Sequence, residues 1–227
     1  MNITENYYRL RREIPAHVTI VVAAKTRAPE EVREIIAAGA TDIGENYVQE
    51  AEAMHRALGE TAPQARWHLI GSLQTNKINK ALPIFDLFQT VDSLEMAQAL
   101  DKRAARFRKI WPVYLEVNSG GEASKSGMPP EYAQIERIAR GMADLPHLRL
   151  EGLMTMGPVT DAPEALRPYF RATKQMFDQL ASLSLPHVAM KTLSMGMSDS
   201  YRIAIEEGAN MVRLGTILFG ARQYASR

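Results

Sequence analysis

Thr19-Ile-Val-Val-Ala-Ala24, with Lys25 directly behind it, is followed by Pro29-Glu-Glu-Val-Arg-Glu-Ile-Ile-Ala-Ala38 and Gly39. The first run shows no strict polar–apolar alternation, as expected of a strand covered on both faces in a parallel sheet. The second has proline and acids in its first turn, apolar residues at helical spacing, and a glycine stop. Together they form one β/α unit, and the unit recurs outward along the chain. Further strand-like runs are Thr41-Asp-Ile-Gly44, Arg66-Trp-His-Leu-Ile70, Leu87-Phe-Gln-Thr-Val91, Val113-Tyr-Leu-Glu-Val117, Leu148-Arg-Leu-Glu-Gly-Leu-Met154, Lys191-Thr-Leu-Ser194 and Met211-Val-Arg-Leu214. Helical patterns fall at residues 46–57, 74–82, 93–100, 130–142, 163–183 and 198–207. Eight units in 227 residues give a period of about 28, the length of one β/α repeat. A doubly wound open sheet shares this alternation, but eight units with little chain left over predict a closed (β/α)8 TIM-type barrel, one domain over residues 1–227.

Composition narrows the chemistry. The chain is 46% hydrophobic and 23% charged, as in an ordinary soluble globular protein. Its 27 Lys and Arg against 26 Asp and Glu leave a net charge of +1, which gives no general attraction to nucleic acid or a membrane surface. With no cysteine there are no disulfides, thiol nucleophiles, iron–sulfur clusters or thiolate-bound zinc. The start lacks the apolar core of a signal peptide, and no apolar run is long enough to span a bilayer, so a cytoplasmic protein is expected.

In such a barrel the C-terminal strand ends converge on the active site. Lys25 stands out among them because it follows an unbroken apolar run, which would bring its amine to the barrel mouth in low-dielectric surroundings. An amine so placed attacks carbonyls and forms Schiff bases with a sugar-like substrate or an aldehyde cofactor. Across the barrel, Leu193-Ser-Met-Gly-Met-Ser-Asp-Ser200 and Val212-Arg-Leu-Gly-Thr-Ile-Leu-Phe-Gly220 occupy the strand-seven and strand-eight loops, where barrels commonly bind phosphate. A Schiff-base lysine opposite a phosphate cradle is the specific constellation. It also fits an aldolase acting on a phosphorylated sugar without a cofactor.

Other motifs carry less. Gly120-Gly-Glu-Ala-Ser-Lys125-Ser126 lacks the glycine that a P-loop needs before its lysine. The five histidines have no ligand spacing, and His68, inside a strand, reads as a satisfied core histidine. The basic stretch at residues 102–109 closes a helix, where cations complement the dipole, and is not read as an RNA site.

Ala24-Lys25-Thr26, Ile43-Gly-Glu-Asn-Tyr-Val-Gln-Glu50 and Trp67-His-Leu-Ile-Gly-Ser-Leu-Gln-Thr-Asn-Lys77 resemble the pyridoxal phosphate homeostasis protein family. So do Leu115-Glu-Val-Asn118, Gly152-Leu-Met154, Leu193-Ser-Met-Gly-Met-Ser-Asp199 and Arg213-Leu-Gly-Thr-Ile-Leu-Phe-Gly-Ala-Arg222, in order over about residues 18–222. The resemblance implies a barrel like the N-terminal domain of alanine racemase that binds pyridoxal 5'-phosphate (PLP). It makes Lys25 the lysine of the internal aldimine, Ser194, Gly215 and Thr216 phosphate ligands with Ser198 a further one, and Arg213 the arginine facing the pyridine nitrogen. Asn46 and Met154 would line the pocket. An arginine at the ring nitrogen disfavours its protonation and weakens PLP as an electron sink. Alanine racemases tolerate this through a tyrosine supplied by a second domain; the role the resemblance implies here is a PLP carrier or regulator acting on vitamin B6 and amino- and keto-acid pools, with PLP-accepting apoenzymes as partners. A racemase using the barrel alone is the alternative.

Two departures from the pattern accompany the resemblance. The segment before the first strand, about 17 residues, is shorter than the family's usual leading helix. The loop at residues 118–125 stands where racemases carry an arginine, and its Lys125 has a free amine suited to competing for PLP. The chain stops at Arg227, so the racemases' tyrosine-bearing β-domain, with the dimer built on it, is expected to be absent and the protein to be a monomer.

Overall fold

The computed structural model describes residues 2–122 and 126–220. In chain order the elements are α1 (Ile3–Glu13), β1 (Thr19–Ala23), α2 (Pro29–Ala37), β2 (Asp42–Glu45), α3 (Val48–Leu58), β3 (Arg66–Leu69), α4 (Ile78–Ala81), β4 (Leu87–Val91) and α5 (Leu94–Ala104). Then come β5 (Trp111–Glu116), α6 (Tyr132–Met142), β6 (Leu148–Thr155), α7 (Arg167–Ala181), β7 (Val188–Met195), α8 (Tyr201–Glu206), β8 (Met211–Leu214) and α9 (Thr216–Phe219). The strands close in sequence order into a parallel barrel, as the alternation predicts. The seam joins β1 to β8, with Val21 opposite Arg213 and Val22 opposite Leu214.

Local chemistry sets the helix ends. Pro29 opens α2, the Glu31 carboxylate accepts from the Ala28 N–H at 2.8 Å, and Gly39 closes the turn at φ 99°. Ser93 caps α5 by accepting from the Met96 N–H. The helix expected over residues 163–183 opens instead as a 3-10 turn, Pro163–Leu166, with α7 starting behind it and Pro168 in its first turn.

The short leading segment does form a helix. Ile3, Tyr7 and Leu10 make the buried face of α1, and the cap residue Ile14 is buried beside them. The Tyr7 hydroxyl donates to Gly39 O at 3.1 Å, and Asn6 Nδ2 donates to Leu218 O at 2.9 Å, so α1 spans the two ends that meet at the seam. Tyr201 of α8 donates to Glu13 Oε1 at 2.6 Å.

Alternate strand residues point inward. Val21, Leu87, Tyr114, Met154 and Met211 fill the barrel, with Ile70 and Met156 packed against them. Outward-facing apolar residues join the helices in the larger core around Trp67, Trp111, Phe85 and Phe170. Among the described residues no helix is long and apolar enough to cross a membrane.

Candidate functional site

A cavity of about 620 Å³ opens at the C-terminal ends of the strands. Five residues singled out from the sequence line it: Asn46, Ser198, Arg213, Gly215 and Thr216. The Ser198 hydroxyl accepts from the backbone N–H groups of Gly215 and Ile217 at 3.3 and 3.2 Å, tying the loop after β7 to the start of α9. Hydroxyls and N–H groups thus cluster at one end of the cavity. A Cβ on Gly215 would meet Ala23 only in ordinary contact, so this glycine leaves room on the cavity side rather than making a tight packing contact. Ile70, Met156 and Met197 supply the apolar walls, and Asp199 stands at the rim.

Lys25 lies just past β1, on the inward-facing register of Ala23, which lines the cavity. It is half-buried, and its Nζ sits 5.1 Å from the ring centroid of Tyr47. The backbone turns sharply behind it: Thr26 has φ 65°, an unusual left-handed conformation for a β-branched residue. The turn is held by the Arg27 N–H donating to Ala24 O at 2.9 Å and by Arg27 Nη2 donating to Gly220 O at 2.8 Å. Local strain of this kind gathers at functional sites.

Arg213 is 5% exposed and holds no carboxylate within ion-pair reach among the described residues. Nη1 donates to the Ser194 carbonyl at 3.0 Å and to Ser194 Oγ at 2.7 Å, and Nη2 donates to Thr155 O at 2.8 Å. Burial pulls its pKa down to about 10, with the Glu116 charge acting the other way. Below it the bonds continue through the barrel. Ser194 Oγ donates to Gln89 Oε1 at 2.7 Å, Gln89 Nε2 meets His68 Nδ1 at 2.9 Å, and His68 Nε2 meets Asp42 Oδ1 at 2.9 Å. His68 is fully buried with both ring nitrogens bonded, the satisfied core histidine that the sequence suggested.

Two expected pocket residues sit one layer lower. Ser194, expected as a phosphate ligand, is fully buried and is not among the residues lining the cavity; its hydroxyl bonds to Gln89 and Arg213. Met154 is likewise fully buried among the barrel-filling side chains, and Met156, two residues on along the same face, takes the wall position instead. Lys125 lies outside the described residues.

A second cavity of about 370 Å³ adjoins the first and shares Asn46, Ile70 and Met156 with it. Glu116 reaches it, almost fully buried, with Ser126 Oγ donating to Oε1 at 3.0 Å and no partner for Oε2 among the described residues. Burial raises its pKa, partly offset by Ser126 and Arg213. Among the described residues no three metal-ligating side chains converge.

A closed barrel with an amine after β1 and an anion-suited loop pair after β7 and β8 defines a class. The model of the alanine racemase N-terminal domain matches residues 1–223. The pyridoxal phosphate homeostasis protein of Aquifex aeolicus (strain VF5) is 40% identical over 205 residues, covering 89% of this chain and 86% of that one. That of Escherichia coli (strain K12) is 38% identical over 216 residues, or 94% and 89%. Among solved structures, PipY of Synechococcus elongatus PCC7942 with PLP bound has a TM-score of 0.87 at 31% identity, covering 96% of this chain and all (100%) of that one. Alanine racemase of Clostridium difficile 630 shares the fold, with a TM-score of 0.80 at 19% identity over 98% of this chain and 57% of that one. The chain belongs to the alanine racemase N-terminal-domain family and, within it, to the pyridoxal phosphate homeostasis proteins.

Proposed function

We propose that this protein binds PLP, holds it covalently on Lys25, and serves the homeostasis of PLP and of amino and keto acids in the cytoplasm, with little or no turnover of its own. The observation that carries this reading is the donor set of the cavity. Hydroxyls of Ser198 and Thr216 suit a phosphate, with Gly215 leaving room for it between them, and Arg213 offers only donors to a ring nitrogen. The apolar walls of Ile70 and Met156 suit the faces of a pyridine ring. The chain's residues therefore fit the cofactor.

When bound, PLP would supply an aldehyde able to take up an amine with loss of water. Lys25 supplies that amine, and the strained turn at Thr26 fixes where it leaves the strand. Arg213 cannot accept a proton from the ring nitrogen and disfavours one there, so the ring withdraws electrons weakly. That property disfavours transamination and other reactions that need the ring as a strong electron sink. A single chain per molecule and delivery to PLP-requiring apoenzymes complete the proposal.

The test is reconstitution with PLP. The protein is expected to acquire a visible absorption band, and borohydride is expected to fix the cofactor to the peptide containing Lys25. Lys25→Ala is expected to lose both. A band that survives in Lys25→Ala, or an absence of binding in the wild type, overturns the proposal. Rapid solvent deuterium exchange at Cα of alanine would favour the racemase.

A further inference from the structure

The bonds beneath Arg213 form a chain with one direction. A guanidinium has no acceptor, so Arg213 Nη1 must donate to Ser194 Oγ. The Ser194 hydrogen is then free to donate to Gln89 Oε1, which leaves Gln89 Nε2 facing His68 Nδ1 as a donor. Gln89 Nε2 also lies 3.3 Å from Met211 Sδ, consistent with a nitrogen at that position. His68 therefore carries its proton on Nε2 and donates to Asp42, whose other oxygen accepts from Thr41 Oγ1 at 2.7 Å. Burial holds the His68 pKa below its usual range, in keeping with a neutral ring. Burial works to raise that of Asp42, but the bonds from His68 and Thr41 hold it low, so the chain ends on a carboxylate.

Every donor points from Arg213 toward Asp42. A run of aligned hydrogen bonds polarises its members mutually. It connects the buried cation at the cavity floor to an anion at the start of β2, across the depth of the barrel. Reversing it would leave Ser194 Oγ with two donors and no acceptor for its own hydrogen among its bonded partners. The orientation is thus locked from the Arg213 end.

We infer that Ser194, Gln89 and His68 are positioning residues that hold the Arg213 guanidinium in the orientation from which it donates to the ligand's ring nitrogen, although only Arg213 reaches the cavity. The ring-nitrogen part of the inference rests on the PLP reading given above; the fixing of Arg213 does not.

Two substitutions at Gln89 separate this role from packing. Gln89→Met keeps the volume and removes both bonds. Gln89→Glu keeps the shape, and once the introduced carboxyl shares one proton with His68 the chain is complete again. The expected result is that Gln89→Met binds PLP about tenfold more weakly with a displaced absorption band, and melts lower because the Ser194 hydroxyl and His68 Nδ1 are left unpaired. Gln89→Glu is expected to return affinity and band toward wild type. In unliganded protein, nitrogen-15 NMR of the Arg213 guanidinium is expected to show slowed rotation and exchange in the wild type and in Gln89→Glu, and their loss in Gln89→Met.

Equal PLP affinity and band in wild type and Gln89→Met would overturn the inference, as would a Gln89→Glu protein that behaves worse than Gln89→Met. If the wild type does not bind PLP, the proposed function falls. The positioning role is then judged by the guanidinium signals alone, and identical signals in wild type and Gln89→Met would end it.

Discussion

Gly71, just after β3, lies flat against the backbone of Asn46, just after β2, and a Cβ at Gly71 would overlap the Asn46 carbonyl oxygen. Thr90 Oγ1 fixes the same loop by donating to Gly71 O at 2.8 Å. Asn46 reaches both cavities because this contact holds its backbone over the barrel mouth. Gly71→Ala is expected to push Asn46 out of place, weakening PLP binding about tenfold and costing about 1–3 kcal/mol of stability. Titration with PLP and urea unfolding measure the two effects.

Ser198 joins the two loops at the polar end of the cavity by accepting from Gly215 and Ile217 N–H groups. Ser198→Ala removes that acceptor and a ligand hydroxyl together, so PLP affinity is expected to fall about tenfold. Ser198→Asp keeps an acceptor for the N–H groups but sets a negative charge where phosphate would lie. It is expected to bind far more weakly than Ser198→Ala while melting no lower. A Ser198→Asp protein with wild-type affinity would place the phosphate elsewhere.

Much of this was legible in the residues. The apolar runs mark the strands because a parallel barrel buries both strand faces, and Asn46, Arg213, Gly215 and Thr216, which line the cavity, stand at or directly behind strand ends, as does Lys25 beside it. What register could not give was depth. Ser194 and Met154 share the inward face with true wall residues, and only the stagger of strands around the barrel shows them a layer too low. The polar chain was hidden because Asp42, Gln89 and Ser194 look ordinary singly and meet only on closure. The leading helix carries a weak signal: Ile3, Tyr7, Leu10 and Ile14 repeat at four, three and four residues, interrupted by charged neighbours.

Glu45 is 1% exposed at the end of β2, and burial first, then Glu50, raises its pKa from 4.5 to about 8 against the Asn46 backbone bond and the Lys25 charge. Between those values the folded state keeps a proton that the unfolded state releases. Stability therefore falls as pH rises across that window. Glu45→Gln is expected to flatten the fall and to gain about 2–4 kcal/mol near pH 8. Urea unfolding at several pH values checks it, and Glu116 leaves a residual slope of the same sign.

Leu10 is fully buried in α1, the helix that bonds to the turn after α2 and to α9 on either side of the seam. Leu10→Ala is expected to cost about 2–4 kcal/mol through the cavity it leaves. PLP affinity measured well below the melting point should stay near the wild-type value, because α1 contributes nothing to the cavity wall.

The join between the first and last strands has a further consequence. Ala23 lies on one side of it and Arg213, Gly215 and Thr216 on the other, and the cavity straddles the line between them. A ligand gripping both sides acts as a rivet across the one place where the cylinder is closed by residues from opposite ends of the polypeptide. Loading it raises the free energy of opening for the whole circle of strands, by mass action, with no new contact needed elsewhere. Occupancy and resistance of the barrel to opening are then coupled at a single junction.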